Sequence, residues 1–340
     1  MKKSFGVARL IPLISRFRGF AVSFLIFSSL SVFTTGATKP SEITVDHFER
    51  SLQPGELILL RVRTLAPVER VEGQGLRRTI RFFQEANHST WNGMLGIDLE
   101  TKPGAYAIKI TAVTSDGTAR ETHLSLDVKD KDFPTRELTV KDAFVNPPRQ
   151  ALARIRREQE AVSRIFGVTS PDRYWSGAFI LPVPGAVVSG FGARSILNGQ
   201  PRRPHGGADL RASEGTPVKA PNSGKVILAE EHYYSGNTVI LDHGLGMYSY
   251  FAHLSRFAAR KGDVVKLGDT VGYVGKTGRV TGPHLHWAVE VNRARVDPLS
   301  LIAVTDITKA DYHHKDTKST ESDEVRTGSG QSAQHTLTEF

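Results

Sequence analysis

Five side chains between residues 200 and 290 have the types and spacing to do chemistry: His205, Asp209, His253, His284 and His286. They stand in Pro204-His205-Gly206-Gly207-Ala208-Asp209, in Tyr250-Phe251-Ala252-His253-Leu254 and in Gly282-Pro283-His284-Leu285-His286-Trp287. The chain has no cysteine. That removes disulfides, thiolate metal sites and a cysteine nucleophile, so any metal must sit on His, Asp or Glu. Two imidazoles and one carboxylate suit catalytic zinc, which takes three protein ligands and keeps a fourth position for water. Zinc lowers the pKa of that water and polarises a carbonyl. A further imidazole beside it can move protons or stabilise an oxyanion. The H-E-x-x-H metalloprotease motif is absent.

Spacing constrains the elements that hold these residues. His284 and His286 are two apart, so on a strand they share one face, about 7 Å apart. Either can bind a metal while the other reaches a group beside it. His205 and Asp209 are four apart. On a straight strand they would be about 13 Å apart, too far for one ion. Gly206-Gly207 can supply the bend, and the same glycine pair disfavours a helix that would align them at i, i+4.

Residues 175–303 read as strands separated by glycines: Ala186–Ser189, Gly224–Ala229, Thr238–Asp242, Tyr248–His253, Thr270–Val274 and Leu285–Val291. No βαβ alternation appears, which argues against a nucleotide-binding sheet. Gly275-Lys276-Thr277-Gly278 lacks the spacing of a phosphate loop. His243 reads as structural, and His232, with Tyr233 and Tyr234, as a loop residue or as part of a groove lining.

Residues 40–130 read as a small β domain. Ile58, Leu60 and Val62 alternate with Leu59, Arg61 and Arg63, and similar patterns surround Ile108 and Leu126. Short strands punctuated by Lys102-Pro103-Gly104 and Ser115-Asp116-Gly117 predict an immunoglobulin-like sandwich. Residues 131–174 form a linker with an amphipathic helix, capped by Asn146 with Pro147 in first position. Its stripe is Leu152, Ile155, Val162, Ile165 and Phe166.

The N-terminus reads as a targeting segment. Lys2, Lys3, Arg9, Arg16 and Arg18 precede an apolar run from Phe20 to Phe33, too short for an ordinary spanning helix. Thr35-Gly36-Ala37 suits signal peptidase. Residues 1–37 are therefore a signal peptide, with an uncleaved N-terminal anchor as the other reading. Either exports the remainder to the periplasm or cell envelope, or secretes it. The net charge of +9 includes these five cations and no acid in 1–37, leaving 9 − 5 = +4 for the rest. That balance gives nucleic-acid binding little support. Residues 304–340 are polar and read as a disordered tail.

The ordered motifs carry a resemblance. His205-x-x-x-Asp209 and His284-x-His286 occur with Gly215-Thr216-Pro217-Val218, Gly236-Asn237-Thr238-Val239, Asp242-His243-Gly244 and Val274-Gly275-Lys276-Thr277-Gly278. This region, about 175–303, resembles the M23 (LytM/lysostaphin-type) family of zinc peptidoglycan endopeptidases. The resemblance implies a mainly β protein whose C-terminal domain is an antiparallel sheet with a groove. It implies one Zn2+ per chain on His205, Asp209 and His286, with His253 and His284 as catalytic histidines. Loops near Leu197-Asn198-Gly199 and Gly278–Pro283 would shape the cleft. The implied partners are peptide stems and cross-links of bacterial peptidoglycan, hydrolysed by a zinc-activated water. No nucleic acid is implied, and membrane contact only through an uncleaved anchor. Two other functions stand beside this one: a non-catalytic LytM-type regulator of cell-wall amidases, whose groove is degenerate, and a zinc D,D-carboxypeptidase with similar ligands.

Overall fold

The computed structural model describes residues 43–139 and 142–306. The signal peptide or anchor expected at 1–37 lies outside the described residues, as does residue 307 onward of the expected tail.

Seven strands come first: β1 (Ile43–Phe48), β2 (Leu57–Thr64), β3 (Arg70–Gly75), β4 (Arg78–Gln84), β5 (Thr90–Gly96), β6 (Gly104–Val113) and β7 (Ala119–Val128). They pair in the order β1-β2-β5-β4-β3-β6-β7, antiparallel throughout. β4 links the two halves: Phe82–Gln84 pairs with β5, whereas Arg78–Arg81 pairs with β3. The expected alternation holds on β6 and β7, where Ile108, Ile110, Leu126 and Val128 are buried. β2 departs from it, because Leu57 to Val62 is buried on both faces. Ile58, Leu60 and Val62 enter the core of this sheet, while Leu57 and Leu59 join a second core with Met94, Ala294, Val296 and Leu301. A strand covered on both sides has no solvent face to mark its period.

Polar groups seal that junction. Glu56 is 3% exposed. Its carboxylate accepts from the Arg50 guanidinium at 2.8 and 2.9 Å and from Ser300 Oγ at 2.8 Å. Ser300 Oγ in turn accepts from the Leu57 N–H at 2.9 Å. The N-terminal sheet thus shares a core and a buried hydrogen-bond network with the C-terminal region.

The chain continues through β8 (Thr135–Leu138), α1 (Asp142–Val145) and α2 (Arg149–Phe166). Then come β9 (Val187–Ser189), β10 (Arg194–Leu197), β11 (Gln200–Pro201), β12 (Ala208–Leu210), β13 (Pro217–Lys219) and β14 (Gly224–His232). The last strands are β15 (Gly236–Gly244), β16 (Met247–Phe257), β17 (Val264–Val265), β18 (Thr270–Val274), β19 (Leu285–Val291) and β20 (Ala294–Val296). The segment 131–174 is more than a connector, since β8 pairs in parallel with β10. α2 also begins later than expected. Its N-cap is Pro148, and the Asn146 side chain bonds to Asp142 rather than capping α2. Each residue before a proline is pushed out of the helical region, so Pro147-Pro148 delays the helix to Arg149.

The C-terminal sheet runs β17-β14-β15-β16-β19-β12-β9, with β13, β18 and β20 attached. One face is the main core, containing Val239, Leu241, Phe251, Leu254, Leu285 and Trp287. On the other face Leu228, Ile240 and Tyr248 are covered by Val162, Ile165 and Phe166 of α2. Two polar contacts fix the helix: Arg154 pairs with Glu231, and Glu158 accepts from the Tyr233 N–H at 2.9 Å. Leu152, assigned to the apolar stripe by its spacing, stays 47% exposed. Residues 298–306 are helical. Val304 and Thr305 are buried, and Thr305 Oγ1 accepts from the Phe179 N–H at 3.0 Å. The boundary at 303 is therefore too early, because three residues assigned to the polar tail continue a packed helix.

Candidate metal centre

His286 lies on β19 between β12 and β16, and its cross-strand partners are Asp209 and Ala252. Leu285 and Trp287 face the core, so strand alternation turns His286 to the other side. Asp209 comes to the same side by the same rule, flanked by buried Ala208 and Leu210. His205 is held through its backbone, its N–H on Ala193 O and its carbonyl on the Gly192 N–H, both at 2.8 Å. The expected bend falls at Gly207, and neither glycine needs a positive φ to make it. A Cβ on Gly207 would stand 2.4 Å from Trp287 O and 2.9 Å from the Ala288 Cβ. Position 207 must be small because the chain lies hard against β19 there.

His205 Nε2, His286 Nδ1 and Asp209 Oδ1 form a triangle with edges of 2.9, 3.0 and 3.1 Å. Donors about 2.0–2.1 Å from a tetrahedral zinc ion lie about 3.3 Å from one another, so the triangle has nearly the size a three-ligand face needs. His205 Nδ1–H donates to Gly190 O at 3.0 Å, which leaves Nε2 as the inward lone pair. Burial pushes Asp209 up, but the imidazoles of His205 and His286 beside it outweigh that and hold the carboxyl well below the usual range. Burial lowers His205, yet the Asp209 carboxylate outweighs it and leaves the imidazole raised. His286 is lowered, chiefly by burial. The ionised carboxylate and the free His286 lone pair are the forms a metal requires.

Two more imidazoles border this triangle. His284 lies on the same side of the chain as His286, with Nε2 3.7 Å from Asp209 Oδ1 and Nδ1–H donating to Gly282 O at 2.9 Å. His253 Nδ1–H donates to Thr277 O at 2.9 Å. Its ring lies 5.0 Å from that of His284 and 6.1 Å from that of His286. Its approach needs a break in alternation. The β15–β16 register shifts between Asn237 and Val239, and His253 has φ +64°. With that bulge, Phe251 and Leu254 both reach the core while His253 turns to the site. A left-handed histidine is strained by about 1–3 kcal/mol. Here it is held by its backbone N–H on Ser235 O at 2.8 Å. Burial, reinforced by His286, pushes His253 down to about 3. The five residues singled out in the sequence thus meet at one place.

The profile of Peptidase family M23 matches residues 203–298, which contain all five. A crystal structure from Pseudomonas aeruginosa assigned to peptidase M23 is 32% identical, with a TM-score of 0.58. The similarity covers 74% of this chain and 95% of that one. The chain belongs to peptidase family M23. Among curated relatives, a DD-carboxypeptidase/endopeptidase of Neisseria meningitidis is 40% identical over 110 residues, 32% of this chain and 25% of its own. The peptidoglycan DD-endopeptidase ShyA of Vibrio cholerae is 40% identical over 96 residues, 28% of this chain and 22% of its own. The chain therefore spans about a quarter of the length of these relatives. Membership in a metallopeptidase family implies a metal, and the His-Asp-His triangle fits one.

The M23 segment does not include α2, yet α2 builds part of the site. Between α2 and the outer face of β16 and β19 lies a groove of about 720 Å³ that reaches His286. His232, read as a loop or groove residue, ends β14, is 6% exposed and lines this groove. Glu230-Glu231 before it hid the continuation of the strand. Glu290 also lines the groove and was missed. The alternation that places His284 and His286 together extends to Ala288 and Glu290 and could have found it. His243 is not in the site. It is fully buried, with Nδ1–H donating to Ser223 O at 2.8 Å and Nε2 accepting from Ser249 Oγ at 2.9 Å.

Proposed function

We propose that this M23 protein is an exported zinc endopeptidase that hydrolyses D,D-type peptide cross-links of bacterial peptidoglycan. The observation that carries the reading is the convergence of His205 Nε2, Asp209 Oδ1 and His286 Nδ1 within about 3 Å of one another, bordered by two further imidazoles. These three residues hold the metal. When bound, zinc supplies Lewis acidity and activates water at neutral pH. Gly190 O holds His205 in the tautomer that presents Nε2. Thr277 O and Gly282 O fix His253 and His284 by their Nδ1–H groups, leaving each Nε2 to take a proton or to donate one to developing negative charge. The groove beside α2 holds the peptide and orients it toward His286.

The substrate class comes from the relatives, two of whose names include endopeptidase action. Zinc is supported by the donor set, because two histidines and one carboxylate with a fourth position left for water is a catalytic zinc arrangement. Export rests on the basic and apolar N-terminus. The strand order β1-β2-β5-β4-β3-β6-β7 supports an immunoglobulin-like sandwich for the N-terminal strands. D,D-carboxypeptidase action is a second reading, favoured by the name of the Neisseria relative. The amidase-regulator reading has less support, because every ligand and both flanking histidines are present. Zinc-loaded protein incubated with purified peptidoglycan tests the proposal. Released fragments with new termini inside cross-links are expected, and walls with all cross-links intact would overturn it.

A further inference from the structure

His205 differs from Asp209 and His286 in what holds it. Those two are set by the pairing of β12 with β19. His205 precedes β12 and is gripped by the loop 190–193. The Gly192 N–H donates to His205 O at 2.8 Å, the His205 N–H donates to Ala193 O at 2.8 Å, and Nδ1–H donates to Gly190 O at 3.0 Å. Every polar group of His205 except the inward Nε2 is thus committed to this one loop.

The loop is itself shaped from outside the C-terminal sheet. Gly192 has φ +79°, a conformation that suits glycine. A Cβ there would stand 2.0 Å from Cδ1 and Cε1 of Phe133, so that ring lies directly on the backbone of the loop. Phe133 belongs to the segment between the two sheets. The residue after it, Pro134, accepts from the Arg194 N–H at 2.8 Å, where β8 begins its parallel run beside β10. The Phe133 ring meets that of Phe191, with centroids 6.4 Å apart at 66°. Phe191 is 8% exposed and presses on Gly55 of the N-terminal region, where a Cβ would stand 2.5 Å from Phe191 Cε1. On the other hand Lys131 Nζ lies 5.4 Å from the Phe133 ring and 3.2 Å from Glu56 Oε1. An unbroken line of contact therefore runs from Gly55 through Phe191, Phe133 and Gly192 to His205.

We propose that Phe133 is a positioning residue for the metal site, acting through Gly192 on His205, so that metal affinity depends on the segment joining the two sheets. Phe133 and the loop 190–193 both precede residues 203–298, the segment matched to the family. A ligand has to be held within about 0.5 Å of its working position by groups whose own places are fixed by packing. Removing the ring opens a gap in close-packed surroundings. The loop then gains freedom, and the three hydrogen bonds carry His205 with it. Asp209 and His286, held by strand register, stay where they are.

The inference rests on His205 being a metal ligand, and its test needs no turnover. Zinc affinity is measured by chelator competition on the full chain, and amide hydrogen exchange is followed on the metal-free protein. Phe133→Ala is expected to weaken zinc about tenfold, the lower end of what losing a group that orients a ligand costs. Exchange should quicken across 190–205 and stay unchanged across 285–291. Phe133→Leu, which keeps apolar bulk without the ring, should shift both readouts in the same direction by less, and it carries the test if the alanine variant does not fold. Phe133→Tyr keeps the ring and should match the wild type. Ile108→Val, in the core of the N-terminal sheet, is the control for general destabilisation. It should lower the denaturation midpoint and leave zinc affinity unchanged. Wild-type affinity in folded Phe133→Ala or Phe133→Leu, exchange that quickens equally across 285–291, or an equal loss of affinity in Ile108→Val would overturn the inference. Zinc binding by the unmodified chain is scored first. Its absence removes the ligand assignment and this inference together, whereas zinc binding that is blind to Phe133 removes this inference alone.

Discussion

Asp209 and His286 are direct partners across β12 and β19, and the carboxylate oxygen of one lies 3.0 Å from Nδ1 of the other. Two of the proposed ligands are therefore fixed by strand register rather than by loops, which makes for a more precise site. The third proposed ligand, His205, stands two residues before Gly207, which lies hard against β19.

Gly207→Ala should disturb that approach, since its Cβ would stand 2.4 Å from Trp287 O. Overpacking of this kind costs about 1–3 kcal/mol. Both a lower denaturation midpoint and a weaker zinc affinity in chelator competition are expected. Wild-type affinity in this variant would show that His205 is placed by something else.

His253→Ala and His284→Ala should separate metal binding from turnover. Neither residue belongs to the His-Asp-His triangle, so metal analysis should still return one zinc per chain. Hydrolysis of cell walls should fall by about 10²–10⁴-fold, the usual worth of a proton-transfer group. Loss of the metal from both variants would mean that these histidines are structural supports.

His243 makes stability depend on pH. Burial holds it down to about 4, from an ordinary value of 6.5. Above pH 6.5 it is neutral folded or unfolded, and its native hydrogen bonds are fully realised. Between pH 6.5 and about 4 the unfolded chain takes up a proton that the folded chain refuses. Stability is lost across that window, by roughly 3 kcal/mol in all. Urea unfolding at pH 7 and pH 4.5 should show this loss in the wild type and a smaller one in His243→Gln. An equal loss in both would place the pH sensitivity at other groups.

Glu56→Ala should weaken the junction between the N-terminal sheet and the C-terminal region. Arg50 and Lys131 lose a buried partner, as does Ser300. The expected cost is about 2–3 kcal/mol, below that of a fully buried pair because Arg50 is 33% exposed. Scanning calorimetry should still show one transition, at lower temperature. Two separated transitions in the wild type would contradict a shared core.

Much of the site was legible in the sequence, for identifiable reasons. Period two on Leu285–Val291 aligned His284 with His286, and the same rule gives Asp209. His253 was legible only through the family motif, because its approach depends on a bulge and a left-handed backbone that alternation does not encode. The glycines at 206–207 were read as a bend, and Gly207 makes it; its clearance against β19 was not legible. Long-range packing hid the rest. Leu59 was set on the face of Arg61 and Arg63, and nothing local to β2 reveals that Leu57 and Leu59 join a core with Ala294 and Leu301. α2 was legible as an amphipathic helix, but its role as a groove wall emerges only once it is docked on Ile240 and Tyr248.

The central claim is that His205, Asp209 and His286 hold one metal ion that cleaves wall peptides. The direct measurement combines metal content and cross-link cleavage on the same preparations of wild type, Asp209→Ala and His286→Ala, with products identified by mass. The wild type should carry one zinc per chain and open cross-links, and both variants should lose zinc and activity together while keeping the wild-type circular dichroism spectrum. A variant that keeps wild-type cleavage, or a zinc-loaded wild type that leaves the walls intact, would contradict the account.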